Sequence, residues 1–191
     1  QYRNAVLEAA WWHDVGKAHE AFQNIFDKEK APSSAIWAKG LIQSDRQYFT
    51  LDGDGRPRIR RFFRHELASA LAYRGMMSGS PYCDLTTFLV AAHHGKVRTS
   101  LRSVPSEKGP DRDGLFARGV WDGDVIHYPE AFEKDISLDL SPVRMGASSW
   151  TSMTLRLRDD PELGPFRLSY LETLLRVADW RASSKEEDHA R

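Results

Sequence analysis

Cysteine is nearly missing from this chain: Cys83 is the single one among 191 residues. That excludes an internal disulfide framework and fits a reducing cytoplasm. No apolar run approaches the length of a membrane span. No basic segment followed by an apolar core marks a secretory signal. Charge of one sign is not in excess either, since 27 basic residues meet 27 acidic ones. A nucleic-acid partner must then be held by local basic patches, by metal or by a companion domain. No phosphate loop of the form GxxxxGK[ST] occurs, so there is no ATP site of that kind and ATP-driven work falls to another domain or chain. Internal repeats are absent. The chain opens on Gln1 rather than methionine and enters a helical pattern at once, which is expected of an excised domain or processed fragment.

What is present reads as ordinary globular material, 41% hydrophobic and 28% charged. One domain over residues 1–191 is expected, long enough for a proper core. Apolar spacing of three and four predicts a helix from Asn4 to Val15 and a shorter one from Ala18 to Phe26, broken by Pro32-Ser33-Ser34. Between Gln43 and Phe63 the pattern changes. Gln47 to Leu51 is strand-like, Asp52-Gly53-Asp54-Gly55 is turn chemistry, and Arg58 to Phe63 returns, so a small hairpin is expected. Helices follow at Phe63 to Met77 and Tyr82 to His94, the second stopped by Gly95. Residues 96–165 carry repeated proline and glycine and read as an irregular insertion, with a helical piece at Pro129 to Lys134 and a strand at Ser152 to Leu157. A long helix from Pro165 to Ser183 closes the fold, and the charged tail 185–191 is expected to fray. The predicted class is all-α.

Six residues in four segments offer metal-ligand chemistry: His13, Asp14, His65, His93, His94 and Asp179. Adjacent residues on a helix point about 100° apart, so a doublet shares a target only at a helix end. There it can converge on one ion or divide between two. His93-His94 before Gly95 has that placement, and so does His13-Asp14 before Gly16. Asp179 continues the apolar stripe of Leu168, Leu171 and Leu175, where a carboxylate must be paired, hydrogen-bonded or metal-bound. Pairing with Arg176 or Arg181 is one solution. Lys17, three residues past Asp14, can meet a phosphate held by metal. A lone histidine at a helix end more often caps carbonyls than binds metal, but the order HD, H, HH, D on successive apolar helices is hard to produce by accident. His19, His127 and His189 lack supporting context and read as surface or local structural residues. Trp11, Trp12 and Trp180 read as core rather than as a base-stacking platform.

That order resembles the HD superfamily of metal-dependent phosphohydrolases, and more closely the HD nuclease domain of the CRISPR-associated type I nuclease-helicase. The resemblance is carried by His13-Asp14-Val-Gly-Lys17 with Ala21-Phe22-Gln23, by Arg64-His65-Glu66, by Ala91-Ala92-His93-His94-Gly95 and by Ala178-Asp179-Trp-Arg181-Ala-Ser183. It implies an all-helical HD bundle in which Asp14 bridges two metals. His13 and Asp179 bind the first, His65, His93 and His94 bind the second, and Lys17 contacts the scissile phosphate. The family also carries a histidine upstream of the HD pair, whereas no histidine precedes His13 here. The first site is therefore expected to draw on a preceding segment or to be weak, and one bound ion is an open alternative to two.

Two-ion sites hydrolyse phosphodiesters by holding the phosphate and acidifying the attacking water. The histidine-rich set favours manganese, iron, cobalt or nickel, with magnesium the oxygen-loving exception. Arg58, Arg60, Arg61 and Arg64 lead to His65, and Lys96 and Arg98 leave His94; these read as phosphate contacts or as a solvated basic face in equal measure. The resemblance implies single-stranded DNA as substrate, a helicase domain (fused or separate) and a CRISPR-RNA-guided surveillance complex as partners, no membrane, and a cytoplasmic setting. The alternatives are an HD phosphohydrolase for nucleotides or cyclic nucleotides, and a non-catalytic HD module that binds metal.

Overall fold

Every residue from Glu66 to Tyr73 is buried in the helix that runs from His65 to Met76, and every residue from Leu85 to Ala92 is buried in the helix packed along it, Cys83–Ala92, which also meets the first and the last two helices. A helix apolar all round belongs in the middle of a bundle. The fold is described, in a computed structural model, for residues 2–26, 36–38, 47–110 and 113–189, with side chains described as far as residue 185. In chain order the helices are α1 (Arg3–Trp12), α2 (Glu20–Gln23), α3 (His65–Met76), α4 (Cys83–Ala92), α5 (Trp150–Asp159) and α6 (Gly164–His189). A 3-10 turn, Val15–Ala18, joins α1 to α2. α3 packs along α4, α1 lies on α4 and against α6, and α5 lies on α6. Leu67, Ala70 and Leu71 of α3 join Leu85, Phe88 and Leu89 of α4 and Leu168, Leu171 and Leu175 of α6 in one core.

The expected hairpin is present, with β1 (Phe49–Leu51) antiparallel to β2 (Pro57–Ile59) and Thr50 opposite Arg58. Residues 43–46 and the Pro32-Ser33-Ser34 breaker lie outside the described residues. α4 ends as predicted, with Gly95 in the left-handed region at φ 71°. The mostly helical class also stands.

The insertion departs from expectation. Residues 152–157 belong to α5, not to a strand: Ser149 caps the helix by accepting from the Ser152 amide, and Trp150, Met153 and Thr154 face the core at helical spacing. Residues 129–134 form no helix; the chain turns there. The small sheet elements are β3 (Phe116–Ala117) with β4 (Val120–Trp121), and β5 (Val125–Ile126) with β6 (Ile136–Ser137). The closing helix also runs past its predicted end at Ser183, since α6 continues to His189. Trp12 is core as expected, but Trp11 and Trp180 are each 56% exposed.

What ties the insertion to the rest is a buried ion network. Arg60 forks onto Asp124, donating from Nη2 to Oδ1 at 2.7 Å and from Nη1 to Oδ2 at 3.0 Å. The Trp121 amide donates to the same Oδ2 at 2.7 Å, and the guanidinium sits 3.5 Å from the Trp121 ring centroid. His19 Nε2 lies 3.2 Å from Asp124 Oδ2, while its Nδ1 accepts from the Ala21 amide and caps α2. Thus His19 is neither a surface residue nor a purely local one. Arg60 is 4% exposed and fully engaged, so it does not serve as a phosphate contact. Burial raises the Asp124 pKa, but His19 and Arg60 outweigh it and hold the carboxyl below its ordinary value.

Asp124→Asn leaves Arg60 buried without its counter-charge, and about 3–5 kcal/mol of stability should be lost at pH 7. Because the folded-state pKa of Asp124 is depressed, its contribution is complete above the unfolded carboxylate pKa and disappears as pH falls through the folded value. Denaturant melts of both proteins should therefore differ most near neutrality and converge in acid; parallel curves would contradict this.

Candidate metal centre

The C-terminal ends of α1 and α4 and the N-terminal end of α3 meet at one place, and α6 crosses beside them. His13 is the C-cap of α1 and His93 the C-cap of α4. Each histidine solves its helix end in the same way. Nδ1 bonds the carbonyl three residues back, His13 to Ala10 at 2.8 Å and His93 to Val90 at 2.5 Å. A carbonyl only accepts, so Nδ1 carries the proton and each Nε2 presents a lone pair. His65 opens α3, and Asp179 faces His13 from α6, with Oδ1 3.5 Å from His13 Nε2. No ion pair joins Asp179 to Arg176 or Arg181 among the described residues; Arg176 lies over the Trp180 ring instead.

Two triads result. His65, His93 and His94 form one, and His13, Asp14 and Asp179 the other; within each, the donor atoms all lie within 4.8 Å of one another. Asp14 stands between them. Its Oδ1 is 3.3 Å from His65 Nε2, and its Oδ2 is 3.4 Å from His13 Nε2. Lys17 Nζ meets the same Oδ2 at 2.7 Å. So the HD doublet joins one cluster and reaches the other through Asp14 Oδ1, while the HH doublet converges on a single cluster.

The donor set fits divalent metal. His93 is 1% exposed and its Nε2 is buried with no hydrogen-bond partner, a costly state for a polar atom unless a ligand meets it. His94 Nε2 and His65 Nε2 face each other at 3.2 Å, an arrangement of two basic nitrogens that a cation between them satisfies. Burial and the neighbouring His94 push the His93 pKa down to about 3, so this imidazole is neutral at pH 7, the form that binds metal. Burial and then His65 lower His94 as well. At Asp14 burial opposes ionisation, but the hydrogen bond with His65 and the charges of His13 and Lys17 hold the carboxyl far below the usual carboxylate range.

Gly16 makes the convergence sterically feasible. A Cβ there would stand 2.1 Å from the His65 carbonyl oxygen and 2.7 Å from the Ser69 nitrogen. The bare glycine lets the 3-10 turn press onto α3, and its amide donates to Ser69 Oγ at 2.7 Å. Gln23 adds a second tether, with Nε2 2.5 Å from the Lys17 carbonyl. Sequence reasoning assigned no task to Ser69 or Gln23; the Phe22-Gln23 pair after Lys17 was the visible trace of the latter.

Of the predicted phosphate contacts, Arg61 and Lys96 are exposed, Arg58 is 3.2 Å from Asp52, and Arg98 is paired with Glu172. Arg64 turns its Nε inward, 4.0 Å from Glu66 Oε1.

Among known proteins, a family model described as "Cas3, HD domain" matches residues 1–187. No curated protein and no solved structure matches the chain.

Gly16→Ala should cost about 1–3 kcal/mol by overpacking. It should also part Asp14 from His65, so the metal-stripped variant should bind manganese at least tenfold more weakly by titration calorimetry. A folded variant with native affinity would show that the close approach at Gly16 does not set the site.

Proposed function

The chain belongs to the Cas3 HD-domain family, a family of metal-dependent phosphohydrolases and nucleases in CRISPR defence, and on that premise we propose that it cleaves single-stranded DNA. The observation that supports this most directly is Asp14, whose two oxygens face the two triads at 3.3 and 3.4 Å. On this reading His13, Asp14 and Asp179 hold one divalent ion, and Asp14, His65, His93 and His94 hold the other. A divalent ion in such a site supplies positive charge for a phosphodiester oxygen and acidifies the attacking water. Asp14 fixes the spacing of the two sites. Lys17, 2.7 Å from Asp14 Oδ2, is placed to offset charge developing on the phosphate oxygens. The bonds from His13 and His93 to their helix carbonyls keep both rings oriented and hold their protons at Nδ1. Nitrogen-rich donors favour manganese, iron, cobalt or nickel over magnesium.

A polynucleotide substrate is supported by a groove beside the hairpin. Gln47, Arg58, Arg61, Lys108 and Trp121 line a cavity of about 330 Å³ there. The exposed cations Arg61 and Lys108 beside an aromatic ring suit a backbone phosphate with its base. Lys108 was not among the residues the sequence suggested. Helix length and apolarity rule out a membrane-spanning helix among the described residues. The cytoplasm, a helicase domain that feeds the strand, and an RNA-guided surveillance complex complete the proposal.

Metal-stripped protein given manganese, cobalt, nickel or magnesium in turn should nick circular single-stranded DNA, and Asp14→Ala should abolish nicking with each metal. Hydrolysis of cyclic nucleotides alone, with circles left intact, would favour a small-substrate phosphohydrolase. Arg61→Glu combined with Lys108→Glu should weaken DNA binding by about tenfold and reduce the salt slope by about two, read from binding titrations at several salt concentrations.

A further inference from the structure

Glu66 follows His65 in α3 and is 1% exposed, yet the metal chemistry described above makes no use of it. A buried carboxyl is costly unless it is paired or hydrogen-bonded. Its Oε1 is buried without a hydrogen-bond partner and its nearest cation is Arg64, whose Nε is likewise buried and unpartnered at 4.0 Å. Its Oε2 lies 3.7 Å from His65 Nδ1, the ring nitrogen that faces away from the clustered donors. The other ring nitrogen, Nε2, is the one 3.3 Å from Asp14 Oδ1 and 3.2 Å from His94 Nε2.

We propose that Glu66 is a positioning residue for the metal centre: it accepts the Nδ1 proton of His65 in a hydrogen bond, so that Nε2 points its lone pair into the His65–His93–His94 cluster. His13 and His93 obtain the same service from helix carbonyls. His65 has no such carbonyl, because it stands at the first residue of its helix and not at a C-terminal end. The carboxyl takes that place. The present gap of 3.7 Å is just beyond hydrogen-bond length. A divalent ion bound at Nε2 would leave the proton on Nδ1, where Glu66 is the acceptor nearest to hand. Charge gives a second reason. The cluster offers three imidazoles and shares one carboxylate with its neighbour, so a divalent ion there has less than its charge matched by direct donors. Glu66 adds a negative charge behind the ring, which makes the imidazole a stronger donor.

The inference rests on His65 being a metal ligand, and His65→Ala is the control for that reading. Nitrogen-15 spectra of histidine-labelled protein loaded with zinc, a diamagnetic divalent ion, report which ring nitrogen of His65 holds the proton. Manganese titration calorimetry reports affinity. In the native chain His65 should be the Nδ1–H tautomer. Glu66→Met, close in shape but without an acceptor, should release it to a mixture or to Nε2–H, and affinity should fall about 10–100-fold. Glu66→Gln keeps an acceptor and loses the charge, so the tautomer should persist while affinity falls severalfold. If Glu66→Met does not fold, Glu66→Gln decides: native affinity overturns the proposal and a severalfold loss upholds it. An unchanged tautomer and affinity in folded Glu66→Met also overturns it. Should His65→Ala itself bind manganese normally, the metal-site reading fails first, and the Glu66 variants are then unaffected by any ligand role of His65.

Discussion

Everything at the metal centre depends on one close approach, the turn at Gly16 lying flat on the first turn of α3. A hydrogen at Gly16 is all the space between that backbone and the His65 carbonyl allows. The contact is polar as well as steric, since the Gly16 amide finds Ser69 Oγ within the buried stretch of α3. Asp14 and His65 are 51 positions apart in the chain, and neither helix packing nor hairpin geometry alone would bring a carboxylate oxygen to 3.3 Å from an imidazole nitrogen. The turn does so because Asp14 is two residues from the glycine and His65 carries the carbonyl that the glycine touches.

Helix ends supply the rest. A helix C-terminus leaves carbonyls without partners, and α1 and α4 each give one to the histidine that caps them. The need of the helix and the need of the site are met by one bond: the carbonyl gains a donor, and the ring gains a fixed proton and a fixed plane. His93 shows the cost of the arrangement, a neutral ring so buried that its outward nitrogen has no hydrogen-bond partner among the described residues. Such atoms are rare in folded chains unless a ligand meets them.

The helices and the ligand doublets were legible in sequence because both leave local marks. Apolar spacing of three and four marks α1, α3, α4 and α6, and His13-Asp14 and His93-His94 mark their ends. The failures share a cause, which is dependence on distant partners. Arg60 sits in a basic run and reads as a phosphate contact until Asp124, far along the insertion, neutralises it. Ser152 to Leu157 reads as a strand because threonine and serine dilute its apolar face, and only the Ser149 cap and the burial of Trp150 and Met153 show it to be part of a helix. His19 had no local context because its context is Asp124. Even so, the insertion is not incidental. It grips Arg60 from the hairpin and His19 from the segment just past Lys17, so its Asp124 braces the wall that carries the lysine. Gly119 lies against the Phe63 backbone, where a side chain would stand 2.4 Å from the Phe63 Cα, and seats the insertion at the hairpin's exit.

The two triads are chemically unlike, and that bears on how the proposed metal sites divide their work. Three imidazoles form one cluster; two carboxylates and a single imidazole form the other. Neutral nitrogen donors select transition metals, while carboxylate oxygens accept hard cations such as magnesium and manganese. The carboxylate cluster also has Lys17 beside it, and the ammonium on Asp14 Oδ2 competes with a cation for that oxygen. Occupation of that cluster must therefore displace or share this salt bridge, whereas the imidazole cluster has no cation to dislodge. Affinity should then be ordered, with the imidazole cluster filled first and the carboxylate cluster completed as a phosphate arrives to take Lys17 away. On that logic Lys17, the proposed phosphate contact, is also the group that keeps the carboxylate cluster waiting for substrate.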